Sequence, residues 1–428
     1  MERLPIRGGS WNNGADAGVA ALNLNNRRVN VNSNIGFRPA LLQGQKPLLY
    51  GGTDRAMEKR SLIPSPIGEN INSRARPNLT DWPSRGAFSM SCRSNIWDKV
   101  IDFENLYAAY KAATKGKRYR RASLEFASNL EENLITIQNE LIWGTWQPLP
   151  LREFWINEPK RRLISAPSFR DRVVHHAIVQ VVEPLFDRRF IHDSHACRIH
   201  HGTILAVHRV QQFARQAKRR WGSYYVYKGD IKSYFPSVRH DILKAIVRKT
   251  IKDLRVLDLL DRIIDSNRNS PGCGIPIGSL TSQLLANAYL DILDHYAKDR
   301  LGIKYYVRYM DDFVVIAHDK KEIRALSSEL ERFIKSNLSL TVNPKSGYFH
   351  GRNGIAFCGF RIWATHILLR KRILRCSMRR LRKLVASMAP QEKIRESIMS
   401  FTAHAKHASS RRSVESILGK IIIRGGSQ

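Results

Sequence analysis

Residues 305–317 read YYVRYMDDFVVIA, two short aromatic and β-branched runs separated by an acidic turn. This stretch limits the fold more than any other. Runs of that length and composition are strands, and so short a connection closes a hairpin. The flanking segments extend the pattern. YYVYKGDI, from Tyr224, is a strand, and residues 239–265 form one or two helices. TSQLLANAYLDILDHYAK is a helix with Leu285, Ala288, Ile292 and Tyr296 on one face. After the hairpin, KKEIRALSSELERFIKSN is an amphipathic helix and LTVN a further strand. The order strand–helix–strand–strand–helix–strand is a split βαβ arrangement, as in ferredoxin-like domains. The fold class is therefore α+β.

Around this core the chain changes character. Residues 1–95 lack sustained periodicity and are rich in Gly, Pro, Asn and Ser, which reads as a tail and linker. Helical spacing begins near Ile96, a hairpin-like piece covers Phe154–Ile164, and a helix starts near Ser168. Ile355–Trp363 is a later strand. In the tail, Leu374, Met378, Leu381, Val385 and Met388 share a helical face, with Arg and Lys on the others. Residues 366–428 hold fifteen basic and three acidic side chains.

Charge narrows the partners. With 71 Lys and Arg against 37 Asp and Glu, the chain carries +34. Such a surplus repels itself unless a polyanion shares the surface, and nucleic acid supplies one through counterion release. A basic amphipathic helix can also lie on an anionic membrane. No apolar run nears the roughly 18 residues needed to span a bilayer, and no signal peptide stands at Met1. Cys92, Cys197, Cys273, Cys358 and Cys376 are scattered, without a CxxC pair, so a reducing cytoplasm is expected.

Three carboxylates carry the chemistry. Asp230 closes the first strand, and Asp311 and Asp312 stand together in the hairpin turn. Asp favours turns in any case, and an isolated pair is most often punctuation. In a ferredoxin-like sheet, however, the end of the first strand and the central hairpin converge. Carboxylates brought so close repel unless a cation neutralises them. Mg²⁺ suits such oxygen ligands, and a pair of ions can activate a 3′-hydroxyl and stabilise departing pyrophosphate. Phe235, five residues beyond Asp230, offers a ring able to crowd a ribose 2′-hydroxyl, although an ordinary core role is open to it. Gly278 lets backbone approach a ligand closely, and Ser282 and Gln283 open the following helix.

These segments carry a family resemblance. YVRYMDDFVV resembles the YxDD box of reverse transcriptases, and YKGDIKSYFPSV their first metal-binding motif. GIPIGSLTSQ resembles their template- and nucleotide-positioning motif, and KRRLISAPSFRDRVVHHAIV their fingers segment. NPKSGYF and IAFCGFRIW are similar to the palm lysine motif and the primer grip. The resemblance runs in order from about Ile96 past Trp363. It implies a right-hand polymerase with fingers over 96–220, a palm over 221–365 and a short basic helical thumb over 366–428. It implies Asp230, Asp311 and Asp312 as catalytic, metal-binding carboxylates holding two Mg²⁺, with Mn²⁺ as a substitute. Phe235 becomes the sugar gate, Arg170 and Arg172 contact triphosphate, and Gly278 and Gln283 lie by the incoming nucleotide and template base. Arg379, Arg380 and Arg382 would hold the template and primer. Substrates would be deoxynucleotides, an RNA template and the growing cDNA/RNA hybrid.

The subfamily is legible too. Group II intron enzymes usually show QGxxxSP in the helix-opening motif. Here Ile277 replaces the Gln and Gln283 the Pro, a form similar to reverse transcriptases of diversity-generating retroelements. Retron signatures (NAxxH, VTG) are not found, and no HNH-like tail follows the thumb. The resemblance then implies adenine-directed mutagenic copying of a template-repeat RNA, a small basic accessory variability protein, and a bacterial or phage-encoded, cytoplasmic enzyme. The Asn-crowded opening fits that picture. RGGSWNNG…LNLNNRR…NSNIGFRPAL resembles the end of lectin-like variable proteins, and Asn codons are adenine-rich. Residues 1–45 are therefore expected to contain a translated template repeat, about 4–41, followed by a linker over 46–95. The native start would then fall as late as Met57 or Met90. A low-complexity tail of no special origin is the plain alternative. Two alternative functions stand beside this: a related reverse transcriptase in phage defence, and a non-catalytic RNA-binding protein retaining the palm.

Two further clusters have ordinary explanations. In HDSHACRIHHG, His192, His195, Cys197, His200 and His201 lack the spacing of a zinc set and resemble the fingers-to-palm connector. Trp143 and Trp146 are expected to pack the junction between the first helices and the fingers rather than stack on bases.

Overall fold

The computed structural model describes residues 96–157, 161–267 and 271–425, with side chains through 419. The expected template repeat and linker over 1–95 lie outside the described residues.

Four helices come first: α1 (Ile96–Ile101), α2 (Phe103–Thr114), α3 (Arg121–Ser128) and α4 (Leu130–Ile142). The hairpin β1 (Arg152–Ile156) and β2 (Arg162–Ala166) follows, then α5 (Phe169–Asp187) and α6 (Thr203–Trp221). Ser168 starts α5 as the sequence indicates. Its hydroxyl accepts from the Asp171 N–H at 3.1 Å and donates to the Asp171 carboxylate at 2.8 Å, so the first turn is capped from both sides.

The central segment holds β3 (Tyr225–Asp230), α7 (Tyr234–Ser237), α8 (His240–Thr250), α9 (Leu254–Asp265) and α10 (Leu280–His295). Then come β4 (Tyr306–Tyr309), β5 (Asp312–Ala317), α11 (Lys320–Leu338) and β6 (Gly347–His350). The four strands form one sheet in the order β4-β5-β3-β6, every pair antiparallel. β4 is buried along its whole length, and β5 is buried beyond Asp312. α11 packs on β3 and β5, and α10 is buried almost throughout, against α5 and α8. A helix apolar on nearly all sides belongs inside the molecule.

The strand expected at LTVN is corrected. That stretch makes only the single bridge Ile231–Val342, and the fourth strand is Gly347–His350. The reason lies in Asn343-Pro344. Asn343 donates its backbone N–H to the Asp230 carbonyl at 2.7 Å, and Ser346 N–H closes a turn onto the Asn343 carbonyl at 2.8 Å. Proline cannot donate to a ladder, so pairing resumes only past the turn.

A second sheet corrects the region after β6: β7 (Ile355–Phe357) and β8 (Phe360–Ile362) divide the stretch expected as one strand, and β9 (Ile367–Leu369) falls where the helical tail was expected to begin. Its first turn is the two-residue loop Cys358-Gly359, both at positive φ (45° and 86°), the backbone a tight hairpin demands. Three helices end the chain: α12 (Lys371–Ala386), α13 (Gln391–Ala405) and α14 (Arg411–Gly425). Among the described residues no helix is long and apolar enough to cross a membrane.

Candidate active site

The hairpin β4–β5 pairs Tyr309 with Asp312, leaving Met310 and Asp311 as the loop. Met310 takes φ +55° while Asp311 stays at negative φ. Positive φ at the first loop residue alone is the pattern of a type II′ turn, which ordinarily uses glycine there. A methionine in that conformation is strained, and the surroundings must hold it. They do so through Arg308. Its fully buried guanidinium donates to the Met310 carbonyl at 3.1 Å, to Asn287 Oδ1 at 3.2 Å and to Ser194 Oγ at 3.0 Å. Its Nε and Nη2 fork onto Asp294 at 2.7 and 2.5 Å. Burial opposes its charge, but the Asp294 carboxylate keeps it protonated. The Tyr306 hydroxyl also donates to Asp294, at 2.7 Å. A buried charge survives only with such pairing.

On the neighbouring strand, Gly229 permits the close approach. A Cβ there would lie 2.2 Å from the Phe313 ring, so no larger residue fits without displacing that ring. Asp230 then falls directly opposite Asp312, and cross-strand partners sit about 4.5–5.5 Å apart at Cβ. Asp230 is fixed by Asn343, whose amide donates to its Oδ2 at 2.7 Å, and by Ser346, whose Oγ accepts its N–H at 3.0 Å. Lys228, two residues earlier and hence on the same face, stands 3.3 Å from Asp312 Oδ2. The other Asp312 oxygen is buried with no hydrogen-bond partner.

Electrostatics follow from this crowding. Burial, then the charges of Asp230 and Asp312, push Asp311 up to about 7. Burial pushes Asp312 up to about 6, with Lys228 opposing and Asp230 adding. Arg162 on β2 draws Asp311 down, and Arg370, just before α12, does the same for Asp312. Three half-buried carboxylates at adjoining strand ends, one oxygen left over, are hard-oxygen donors that a divalent cation would relieve. Among the described residues no group of three or more His, Cys, Asp or Glu side chains already stands in coordinating geometry. Lys228 and Asn343 hold two of the oxygens instead.

The other predicted residues fall in several places. Phe235 is buried in α7, edge-on to Tyr234 at 5.5 Å between ring centres. Gly278 takes φ +115°, and Gln283 is buried in the first turn of α10. Arg170 pairs with Glu140 and Asp171 and donates to the Gln147 carbonyl at 3.4 Å. Arg172 donates to the Pro167 carbonyl at 3.3 Å, and burial depresses its proton affinity. Arg379, Arg380 and Arg382 are exposed on α12 around the buried Leu381. Trp146 is buried as expected, but Trp143, predicted to pack beside it, is 77% exposed and is corrected to a surface residue. It directly follows the last residue of α4, where the chain turns away at Gly144. His195 and His201 face each other, Nδ1 to Nδ1, at 3.1 Å.

Sequence reasoning missed Arg308, Asp294, Asn343, Lys228, Arg162 and Arg370. Lys228 alone had a local signal, its strand period with Asp230. Arg308 stands two residues before Met310, but its partner Asp294 and the remaining residues meet the site only through tertiary structure.

A four-stranded sheet presenting paired acids at a strained turn, with basic residues around them, has the donor chemistry that a metal-dependent nucleotidyl transferase requires. Residues 157–362 match the family of reverse transcriptases, RNA-dependent DNA polymerases. The chain is 30% identical over 321 residues to protein YkfC of Escherichia coli K12, covering 64% of this chain and 80% of that relative. It is 23% identical over 406 residues to the group II intron-encoded protein LtrA of Lactococcus lactis, covering 78% of this chain and 65% of the relative. Apo telomerase from Candida tropicalis aligns at 12% identity and a TM-score of 0.44, over 70% of this chain and 67% of that one. The chain belongs to the reverse transcriptase family, the RNA-directed DNA polymerases. Members of that family use divalent metal ions.

Proposed function

We propose that this chain copies a template-repeat RNA into cDNA carrying substitutions at template adenines, for transfer into a variable gene. The sheet β4-β5-β3-β6 is on this reading a ferredoxin-like palm, between fingers over 96–220 and a basic thumb over 366–428. Asp230, Asp311 and Asp312 would hold two Mg²⁺, which would supply activation of the primer 3′-hydroxyl and charge neutralisation of the leaving pyrophosphate. The chain's own residues do the positioning. Arg308 fixes the turn that presents Asp311, Asn343 orients Asp230, and Gly278 and Gln283 border the nucleotide and template base. Phe235 bounds the sugar side, and Arg170 and Arg172 stand toward the triphosphate once their present carboxylate and carbonyl partners yield.

The observation that carries the retroelement reading is IGSLTSQ at the start of α10, with Ile277 and Gln283 where intron enzymes carry Gln and Pro. The Asn-dense segment before residue 45 supports it. A basic accessory variability protein would complete the complex. Two measurements test it. The surrounding locus should contain a near-copy of the DNA encoding residues 4–41 that differs mainly where this copy has adenine. On a defined RNA template, errors should concentrate opposite adenine. A complete locus without such a copy, together with an even error spectrum, would replace this reading with a reverse transcriptase of another purpose, such as phage defence.

A further inference from the structure

The start of α10 is capped in an unusual way. Ser279 occupies the position before the helix with extended backbone (φ −88°, ψ 144°), yet its hydroxyl accepts from no backbone N–H of the first turn. A serine there ordinarily accepts from an N–H two or three residues on. Instead Ser279 Oγ lies 2.7 Å from His175 Nδ1 and 2.8 Å from Thr281 Oγ1, and Thr281 Oγ1 lies 3.1 Å from the same nitrogen. All three side chains are buried, at 2%, 1% and 1% exposure for His175, Ser279 and Thr281. Three buried side chains that bond one another favour one arrangement, because rotating any of them away gives up hydrogen bonds in an interior where water cannot replace them.

His175 belongs to α5, 104 residues away from Ser279. The same short segment is held from a second side by β2. The Ser165 N–H donates to the Ile277 carbonyl at 3.2 Å, and a Cβ on Gly278 would come within 3.1 Å of Ile164 Cγ2. Residues 277–281 are thus gripped between the hairpin β1–β2 and α5, and Gln283 follows within the same helical turn. Burial pushes the His175 imidazole down to about 3, so it stays neutral at any working pH and the triangle persists.

We propose that His175 is a positioning residue for nucleotide selection: through the Ser279 and Thr281 hydroxyls it sets the rotation of the first turn of α10, and with it Gly278 and Gln283. This rests on the reading above that these two residues border the incoming nucleotide and template base. His175 itself touches no substrate.

The test compares full-length chains carrying His175→Leu, His175→Asn, Ser279→Ala, and His175→Leu with Ser279→Ala together. Single-nucleotide addition is followed on an RNA template with a DNA primer, using matched and mismatched deoxynucleotides. His175→Leu should raise KM for the matched nucleotide about tenfold while kcat changes much less. His175→Asn, which keeps a polar atom near Nδ1, should recover part of the loss. The double variant should be no worse than the worse single one, because both act on one network. Amide exchange on the same chains reads the positioning without catalysis, and Thr281–Gln283 should exchange faster in His175→Leu and in Ser279→Ala. Unchanged exchange there, additive losses, or Asn no better than Leu would overturn the proposal. Addition by the unsubstituted chain measures the polymerase reading independently.

Discussion

At the scale of single residues, the site is a problem in charge. Asp311 and Asp312 are raised to about 7 and about 6 from an ordinary value of 3.8. A carboxyl whose folded pKa is raised stabilises the fold only while it keeps its proton. That contribution is complete below about pH 4 and is lost as pH climbs through 6 and 7. The metal-free protein should therefore soften over this window at the hairpin, whereas saturating Mg²⁺ should stabilise it increasingly as pH rises. Thermal midpoints with and without Mg²⁺ across the window measure the difference. A Mg²⁺ stabilisation that does not vary with pH would remove these two groups as the linked sites. The placement of all three acids at a strand end and a turn was legible in the sequence because strand periodicity and turn preference are local. Lys228 was equally local and went unread, as alternation with Asp230 assigns a face but no partner.

At the scale of elements, the hairpin depends on its neighbours. Arg308 reaches Met310 from below the turn and is balanced by Asp294 on α10 and Ser194 in the connector. Arg308→Met should cost about 3–5 kcal/mol of stability, since it strands a buried carboxylate. Adding Asp294→Leu should restore much of the stability but little activity, because the Met310 carbonyl would still lack its donor. Urea unfolding and nucleotide addition on the two variants separate these effects; recovery of full activity in the pair would show that the turn needs no such support. Nothing local foretold this pair: fourteen residues and a helix end separate Asp294 from Arg308. The misplaced strand at LTVN has the same origin. Its apolar pattern suits a strand, but the Asn343 hydrogen bond to Asp230 and the proline after it redirect the backbone.

At the scale of the whole molecule, +34 of charge needs an anionic partner. The exposed arginines of α12 lie on the segment that follows the β7-β8-β9 sheet, and Arg370 at its head already touches the field of Asp312. Replacing Arg379, Arg380 and Arg382 by Gln should flatten the salt dependence of template binding by a slope of about 2–3. An unchanged slope in a salt titration would take α12 out of the interface. Most helices and the β4–β5 hairpin were readable from periodicity, because each element's pattern is its own, whereas the fourth strand and the β7-β8-β9 sheet were not. The surface course of nucleic acid was readable only as net charge.

On the proposed reading, the carboxylates brought together at the β3 end and the β4–β5 turn perform templated nucleotide addition. The measurement that tests it most directly is incorporation of deoxynucleotides on an RNA template by the unsubstituted chain and by Asp311→Ala, with RNA binding followed in parallel. Addition by the first, none detectable by the second, and equal RNA binding by both are expected. Equal addition by the Asp311→Ala chain would contradict it.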